Sequence, residues 1–143
     1  MSSFKVQYVI DGEDFTVAGE ASRKLKKVLQ NLGVDPQIVR KATVAMYEGE
    51  INMVIHADGG VIDVEITQEK IHIFLRDRGP GIPNIDLAMT EGFSTASDNV
   101  LELGFGAGMG LPNMEKYTDY MDITTEIGVG TTIEMIVNTK TGS

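Results

Sequence analysis

Three short segments of this chain carry residue types that could bind a nucleotide. Glu48 and Asn52 lie four residues apart in a stretch with helical periodicity, so both would share one helix face. Residues 77–83 read DRGPGIP, and residues 104–110 read GFGAGMG. An acidic residue can accept an adenine amino group, an Asn oxygen can ligate Mg²⁺, and glycines let backbone N–H groups approach phosphates. The three segments in this order predict a nucleotide site.

The helix that carries Glu48 contains a second glutamate with a different expected orientation. Glu50 lies two residues from both Glu48 and Asn52, so we expect it to point to another side of the helix. A carboxylate at Glu48, next to a metal ligand, could take the proton of an attacking hydroxyl. We therefore predict that Glu48, rather than Glu50, is the acidic residue that takes part in the reaction. An ordinary solvated helix face is the alternative explanation for Glu48 and Asn52.

Turn formation alone could explain the glycines of residues 77–81, but not those of residues 104–110. The DxGxG pattern at residues 77–81 is also good turn chemistry, and it follows a strand predicted over residues 71–75. The four alternate glycines of residues 104–110 exceed the needs of one turn, and each lowers stability through backbone entropy. They lead into a predicted helix whose first N–H groups could bind phosphate. Their spacing is neither the dinucleotide-binding GxGxxG pattern nor a P-loop.

The composition is that of one ordinary globular domain. The chain has 143 residues, 42% of them hydrophobic and 23% charged, with a net charge of -9. This acidity argues against nucleic-acid and anionic-membrane partners, because both select Lys and Arg. With no Cys and two His, disulfides, thiolate metal sites and a His-based zinc site are excluded. The sequence lacks a membrane-spanning run and a signal pattern, which predicts a soluble cytoplasmic protein.

The pattern of apolar residues predicts an α+β fold, a two-layer α/β sandwich. Alternation and helical spacing predict strands over residues 4–10, 15–17, 61–67, 71–75, 121–126 and 131–137, and helices over 21–32, 36 to about 58, 83–89 and 108–117. Their order favours a mixed, mostly antiparallel sheet with helices on one face. Residues 91–108 lack clear periodicity and predict a long functional loop, and residues 138–143 predict a frayed tail.

With these motifs in place, the chain resembles the ATP-binding domain of the gyrase, chaperone, histidine-kinase and MutL (GHKL) superfamily over roughly residues 5–137. Within that superfamily, residues 77–85, 92–95 and 106–112 are similar to the bacterial anti-sigma factors and the stressosome switch serine/threonine kinases. Residues 128–132, GVGTT, match the terminal GxGTx element of that group. The resemblance implies the GHKL ATPase/kinase fold, with residues 1–143 forming a single ATP-binding kinase domain.

The resemblance also implies a role for each site residue. Glu48 would be the general base that activates a Ser or Thr hydroxyl, and Asn52 would ligate the Mg²⁺ that bridges the ATP phosphates. Asp77 would accept the adenine amino group, and residues from about 91 to 108 would form the ATP lid. Thr132 would assist adenine recognition through a water molecule. The remaining ATP-binding positions that it implies are Gly79, Gly81, Gly106, Gly108, Met109 and Gly110.

The function implied by the resemblance is ATP-dependent phosphorylation of a STAS-domain anti-sigma antagonist, which regulates a sigma factor by partner switching. The alternative is a nucleotide-gated anti-sigma binding module with little or no kinase turnover, and a sigma factor would then be a partner. A detached histidine-kinase catalytic domain fits less well, because neither His resembles a phosphoacceptor. Proteins of this type are often dimers, so the resemblance also implies a possible homodimer.

Overall fold

The computed structural model describes residues 3–11, 19–56, 59–79, 89 and 110–139. In chain order, the elements within these ranges are β1 (Phe4–Asp11), α1 (Glu20–Asn31), α2 (Pro36–His56), β2 (Gly59–Ile66), β3 (Lys70–Asp77), α3 (Gly110–Lys116), β4 (Tyr120–Glu126) and β5 (Gly130–Asn138). The strand predicted over residues 15–17, the helix predicted over 83–89 (apart from Met89) and the predicted lid lie outside the described residues.

The described strands form one five-stranded sheet in the order β1-β2-β3-β5-β4. Each neighbouring pair is antiparallel. The predicted α+β fold with a mostly antiparallel sheet is therefore confirmed. The central strand β3 pairs with β2 on one side and β5 on the other, so Asp77 at its end lies beside the start of β5.

The helices cover one face of the sheet, where the apolar residues of each strand alternate into the core. The inward side chains of the three central strands are almost fully buried, namely Ile62, Val64, Ile66, Ile71, Ile73, Leu75, Ile133, Met135 and Val137. They pack with apolar side chains of the helices, among them Leu25, Leu29, Ala42, Ala45, Met46 and Met114. Each large apolar side chain buried in this layer contributes roughly 1.5–3 kcal/mol.

The two long helices begin and end where the sequence predicts. α2 begins at Pro36, and the Asp35 carboxylate accepts a hydrogen bond from the Gln37 N–H at 2.8 Å, so Asp35 caps it as expected. α1 spans Glu20–Asn31 and stops before Gly33, whose φ of 76° suits a helix terminus. The predicted limits of 21–32 differ from the observed ones by one residue at each end, within the usual uncertainty of helix boundaries.

α1 is capped by a residue of the neighbouring helix. Its own N-cap, Gly19, has no side chain that could do so. Instead, Glu50 of α2 accepts hydrogen bonds from the N–H groups of Gly19 (2.9 Å), Ala21 (3.2 Å) and Ser22 (3.1 Å) and from the Ser22 hydroxyl (2.7 Å). Glu50 is 2% exposed, and its carboxylate faces the positive end of the α1 dipole. As expected, Glu50 therefore serves a different side of α2 from Glu48.

Candidate functional site

The end of β3 presents a fixed carboxylate at the edge of the sheet. Asp77 Oδ1 accepts hydrogen bonds from the N–H of Gly79 at 3.0 Å and from the N–H of Thr131 at 2.9 Å. Both donors are backbone groups, so they set the orientation of the carboxylate without depending on a side-chain rotamer. The described residues direct no hydrogen bond to Oδ2 of Asp77.

Two glycines hold the backbone of Asp77 closely from both sides. A Cβ on Gly130 would overlap the carbonyl oxygen of Asp77, and a Cβ on Gly60 would overlap that of Arg76. Gly130 also has a φ of 152°, a backbone conformation that other residues rarely adopt. The end of β3 is thus clamped between β2 and β5, which leaves the Asp77 carboxylate little freedom.

The threonine whose N–H contacts Asp77 is Thr131, whereas the predicted site residue Thr132 lies on the other face of the sheet. Asp77 and Thr131 lie on the helix-covered face, and the Thr131 N–H donates to Asp77. Thr132 pairs with Arg76 in the β3–β5 ladder, and both side chains lie on the opposite face of the sheet. Thr131 is 5% exposed, and its hydroxyl lies 3.0 Å from that of Thr125. Thr131, and not Thr132, therefore shares a face of the sheet with the Asp77 carboxylate.

Glu48 and Asn52 are half-buried on α2. Burial raises the pKa of Glu48 above its ordinary value, and a hydrogen bond from the Asn113 side chain lowers it to a smaller extent. The Asn113 Nδ2 donates to Glu48 Oε1 at 3.3 Å. A glutamate with a raised pKa is better matched to proton transfer near neutral pH than an ordinary surface glutamate.

Close packing of α2 brings its site residues to the same end of the fold as Asp77. A Cβ on Gly49 would overlap the side chain of Leu75, so α2 rests directly on β3 two residues before Asp77. One turn further along α2, Met53 approaches Gly60. A Cβ there would lie 2.7 Å from Met53 Cε and 2.8 Å from Asp77 Cα. Glu48 and Asn52 each precede one of these contact residues.

The description covers the predicted site in part. Gly79 is buried and donates to Asp77, and Gly110 is the first described residue of α3. The predicted positions outside the described residues are Gly81, Gly106, Gly108 and Met109.

Thr131 and Asn113 lie at the candidate site but were not predicted from the sequence. The alternation of Thr131 with the buried Ile133 and Met135 was a sufficient signal for its face. For Asn113, the sequence carries no comparable signal, because its contact with Glu48 spans 65 residues.

Comparison with known proteins identifies the family. Residues 40–141 match the family described as "Histidine kinase-, DNA gyrase B-, and HSP90-like ATPase". The chain belongs to this family. Membership implies ATP as the nucleotide and agrees with the resemblance recognised from the three sequence motifs.

The relatives of this chain include a bacterial serine/threonine-protein kinase and several anti-sigma F factors. The chain is 31% identical to the serine/threonine-protein kinase RsbT of Bacillus subtilis over 121 residues, which cover 81% of this chain and 85% of RsbT. It is 33% identical to the anti-sigma F factor of Clostridium beijerinckii over 108 residues, 70% of this chain and 72% of that protein. The anti-sigma F factor of Anoxybacillus flavithermus is 32% identical over 100 residues, 70% of this chain and 62% of that protein.

Solved structures show the same fold at low sequence identity. The RsbU and RsbW domains of a Mycobacterium tuberculosis protein align with a TM-score of 0.65 at 16% identity, covering 94% of this chain and 32% of that one. The mycobacterial sensor histidine kinase MprB aligns with a TM-score of 0.53 at 15% identity, over 94% of this chain and 97% of that one. Across the described ranges, no helix combines the length and apolar character needed to cross a membrane.

The side chains at the site suit a nucleotide with a magnesium ion. Asp77 offers a fixed acceptor to an adenine amino group, which is a hydrogen-bond donor. Asn52 offers a hard oxygen, and a Mg²⁺ ion that keeps waters and phosphate oxygens needs few protein ligands. A flat base could approach the backbone beside Asp77, because Gly79 and Gly130 carry no side chain there.

Proposed function

We propose that this protein is an ATP-dependent serine/threonine kinase that phosphorylates a STAS-domain anti-sigma antagonist and so regulates a sigma factor. The observation that carries the proposal is the half-buried Glu48, whose pKa is raised and whose carboxylate accepts a hydrogen bond from Asn113. The kinase RsbT, 31% identical over 85% of its length, supports the same reaction class.

In the proposed reaction, Glu48 accepts the proton of a Ser or Thr hydroxyl on the protein substrate. The hydroxyl oxygen forms a bond to the γ-phosphorus of ATP while the bond to the β–γ bridging oxygen breaks, and ADP leaves with that electron pair. The reaction needs mainly positioning and charge neutralisation, so a small set of side chains suffices. When bound, Mg²⁺ would neutralise charge on the phosphates, and Asn52 would hold it.

The adenine end of ATP would be recognised at Asp77. The carboxylate would accept the amino group through Oδ2, and Oδ1 is already held by the two backbone N–H groups. The buried Thr131 would take the supporting role beside the base. Gly81, Gly106, Gly108, Met109 and Gly110 remain proposed contacts to the base and phosphates, on the resemblance alone.

A second candidate function is a nucleotide-gated anti-sigma module with little or no turnover. Relatives named anti-sigma F factor, at 32–33% identity, favour it. In that case a sigma factor would be the partner, and ATP would govern its release. Both functions use the same nucleotide site, so phosphate transfer separates them.

The test is transfer of label from γ-labelled ATP·Mg²⁺ to STAS-domain proteins of the same organism. Glu48→Gln should abolish transfer while ATP affinity stays close to that of the wild type. Glu115→Gln, which changes an exposed glutamate of α3, is the matched control and should transfer normally. Asp77→Asn should lose ATP binding in calorimetry, because half of the acceptor becomes a donor.

Each result has a definite reading. Label on a Ser or Thr of one STAS protein, lost in Glu48→Gln, would establish the kinase. ATP binding without transfer to any of them would favour the anti-sigma module. Transfer at the wild-type rate by Glu48→Gln would remove Glu48 as the base, and unchanged ATP affinity in Asp77→Asn would remove Asp77 as the adenine acceptor.

A further inference from the structure

Helices α2 and α3 pack closely against each other at Gly49. A Cβ on Gly49 would overlap Leu75 of β3 and lie 3.2 Å from the methyl carbon of Met114 on α3. Met114 and Leu75 are both almost fully buried, so neither can move away cheaply. The two helices are therefore fixed relative to each other at the residue that follows Glu48.

Beside Gly49, Asn113 of α3 faces Glu48 of α2. The Asn113 Nδ2 donates to Glu48 Oε1 at 3.3 Å. An ionised carboxylate only accepts hydrogen bonds, so the amide must turn its nitrogen toward Glu48. Both side chains are half-buried, which shields their interaction from full competition with water.

We infer that Asn113 is a positioning residue for the base: it holds one carboxylate oxygen of Glu48 and leaves the other to receive the proton of the acceptor hydroxyl. The inference rests on the proposed kinase reaction, in which Glu48 touches the substrate and Asn113 acts through it. Among the described residues, no group donates a hydrogen bond to the other oxygen, Oε2.

Two substitutions test the role in catalysis. Asn113→Ala removes the donor, and Asn113→Asp keeps the shape but places a second acceptor against Glu48. We expect the kcat of phosphate transfer to fall about 10- to 100-fold, since small misplacements of a catalytic group have effects of that size. The loss should be greater for Asp, and the KM for the protein substrate and the Kd for ATP should stay near wild-type values. Asn31→Ala, at the exposed end of α1, is the control.

A double-mutant cycle tests the contact without any enzymatic readout. Asn113→Ala should lower the Tm of the wild-type protein by roughly 2–4 °C and leave that of Glu48→Ala unchanged, because only the first background holds the partner. Equal Tm shifts in both backgrounds would overturn the contact. The positioning role would be overturned if both Asn113 variants kept the wild-type kcat. It would also be overturned if their transfer rates fell only as far as the loss of folded protein explains. Absence of transfer by the wild type would overturn the proposed kinase, and the cycle would still decide the contact.

Discussion

Glu50→Gln should destabilise this protein by about 2 kcal/mol, although the change is isosteric and removes a buried charge. The four hydrogen bonds to Glu50 come from three backbone N–H groups and one hydroxyl. A Gln side chain keeps one accepting oxygen, and its NH₂ group fits best opposite the Ser22 hydroxyl, which can reverse its direction. The Ser22 N–H then loses its partner and the remaining bonds lose their charge. One lost charge-assisted bond costs roughly 1.5–3 kcal/mol.

The matched comparison is Glu48→Gln, the same change two residues away on the same helix. Burial raises the pKa of Glu48 in the folded state, so the folded protein holds that proton more tightly than the unfolded chain. The resulting stabilisation is complete below the unfolded pKa and is lost as pH rises through the folded pKa. Glu48→Gln should therefore match the wild type near pH 4 and become the more stable protein at pH 8.

The assay is denaturant unfolding of the wild type and both variants at pH 4, 6 and 8, followed by circular dichroism. For a chain of this size, 2 kcal/mol corresponds to a fall in Tm of roughly 4–8 °C, so thermal unfolding gives an independent check. Unchanged stability in Glu50→Gln would refute the reasoning that this carboxylate caps α1. A variant Glu48→Gln that is less stable than the wild type at pH 8 would refute the account of Glu48.

Two further substitutions examine the Asp77 end of the site. Gly130→Ala should reduce ATP affinity at least 10-fold in calorimetry, because its methyl group overlaps the Asp77 carbonyl and must displace that backbone. Wild-type affinity in that variant would show that the clamp does not position Asp77. Thr131→Val should weaken ATP binding roughly 3- to 10-fold through the loss of one buried hydroxyl, whereas Thr132→Val should not. The reverse order would restore Thr132 to the site.

The fold was largely predictable because local signals agreed with one another. The alternation of apolar residues in β2, β3 and β5 gave their inward faces, and the Asp35–Pro36 pair gave the start of α2. The order of the strands in the sheet was not predictable in the same way. It depends on which strands pair across long sequence separations, as β3 and β5 do.

Sequence reasoning reaches the residues of the candidate site where the signal is local, and not where it depends on packing. The prediction of Asp77 rests on its position before two glycines, and the distinction between Glu48 and Glu50 rests on helical periodicity. The two-residue period of β5 distinguishes the neighbouring threonines, because it puts Thr131 and not Thr132 on the face shared with Asp77. Asn113 could not have been found, because only the packing of α3 on α2 brings it to Glu48.

Helix α2 carries two carboxylates, Glu48 and Glu50, whose surroundings differ sharply. Residues two positions apart on a helix point about 200° away from each other, so Glu48 and Glu50 must face different neighbours. Glu50 accepts four hydrogen bonds from donors at the start of α1. Among the described residues, Glu48 accepts one hydrogen bond, from Asn113, and burial raises its pKa. A raised pKa suits a carboxylate that must take a proton, so Glu48 has the environment that the proposed reaction needs. The bonds to Glu50 connect α1 to α2, so one helix carries both a carboxylate that stabilises the fold and the carboxylate proposed for the chemistry.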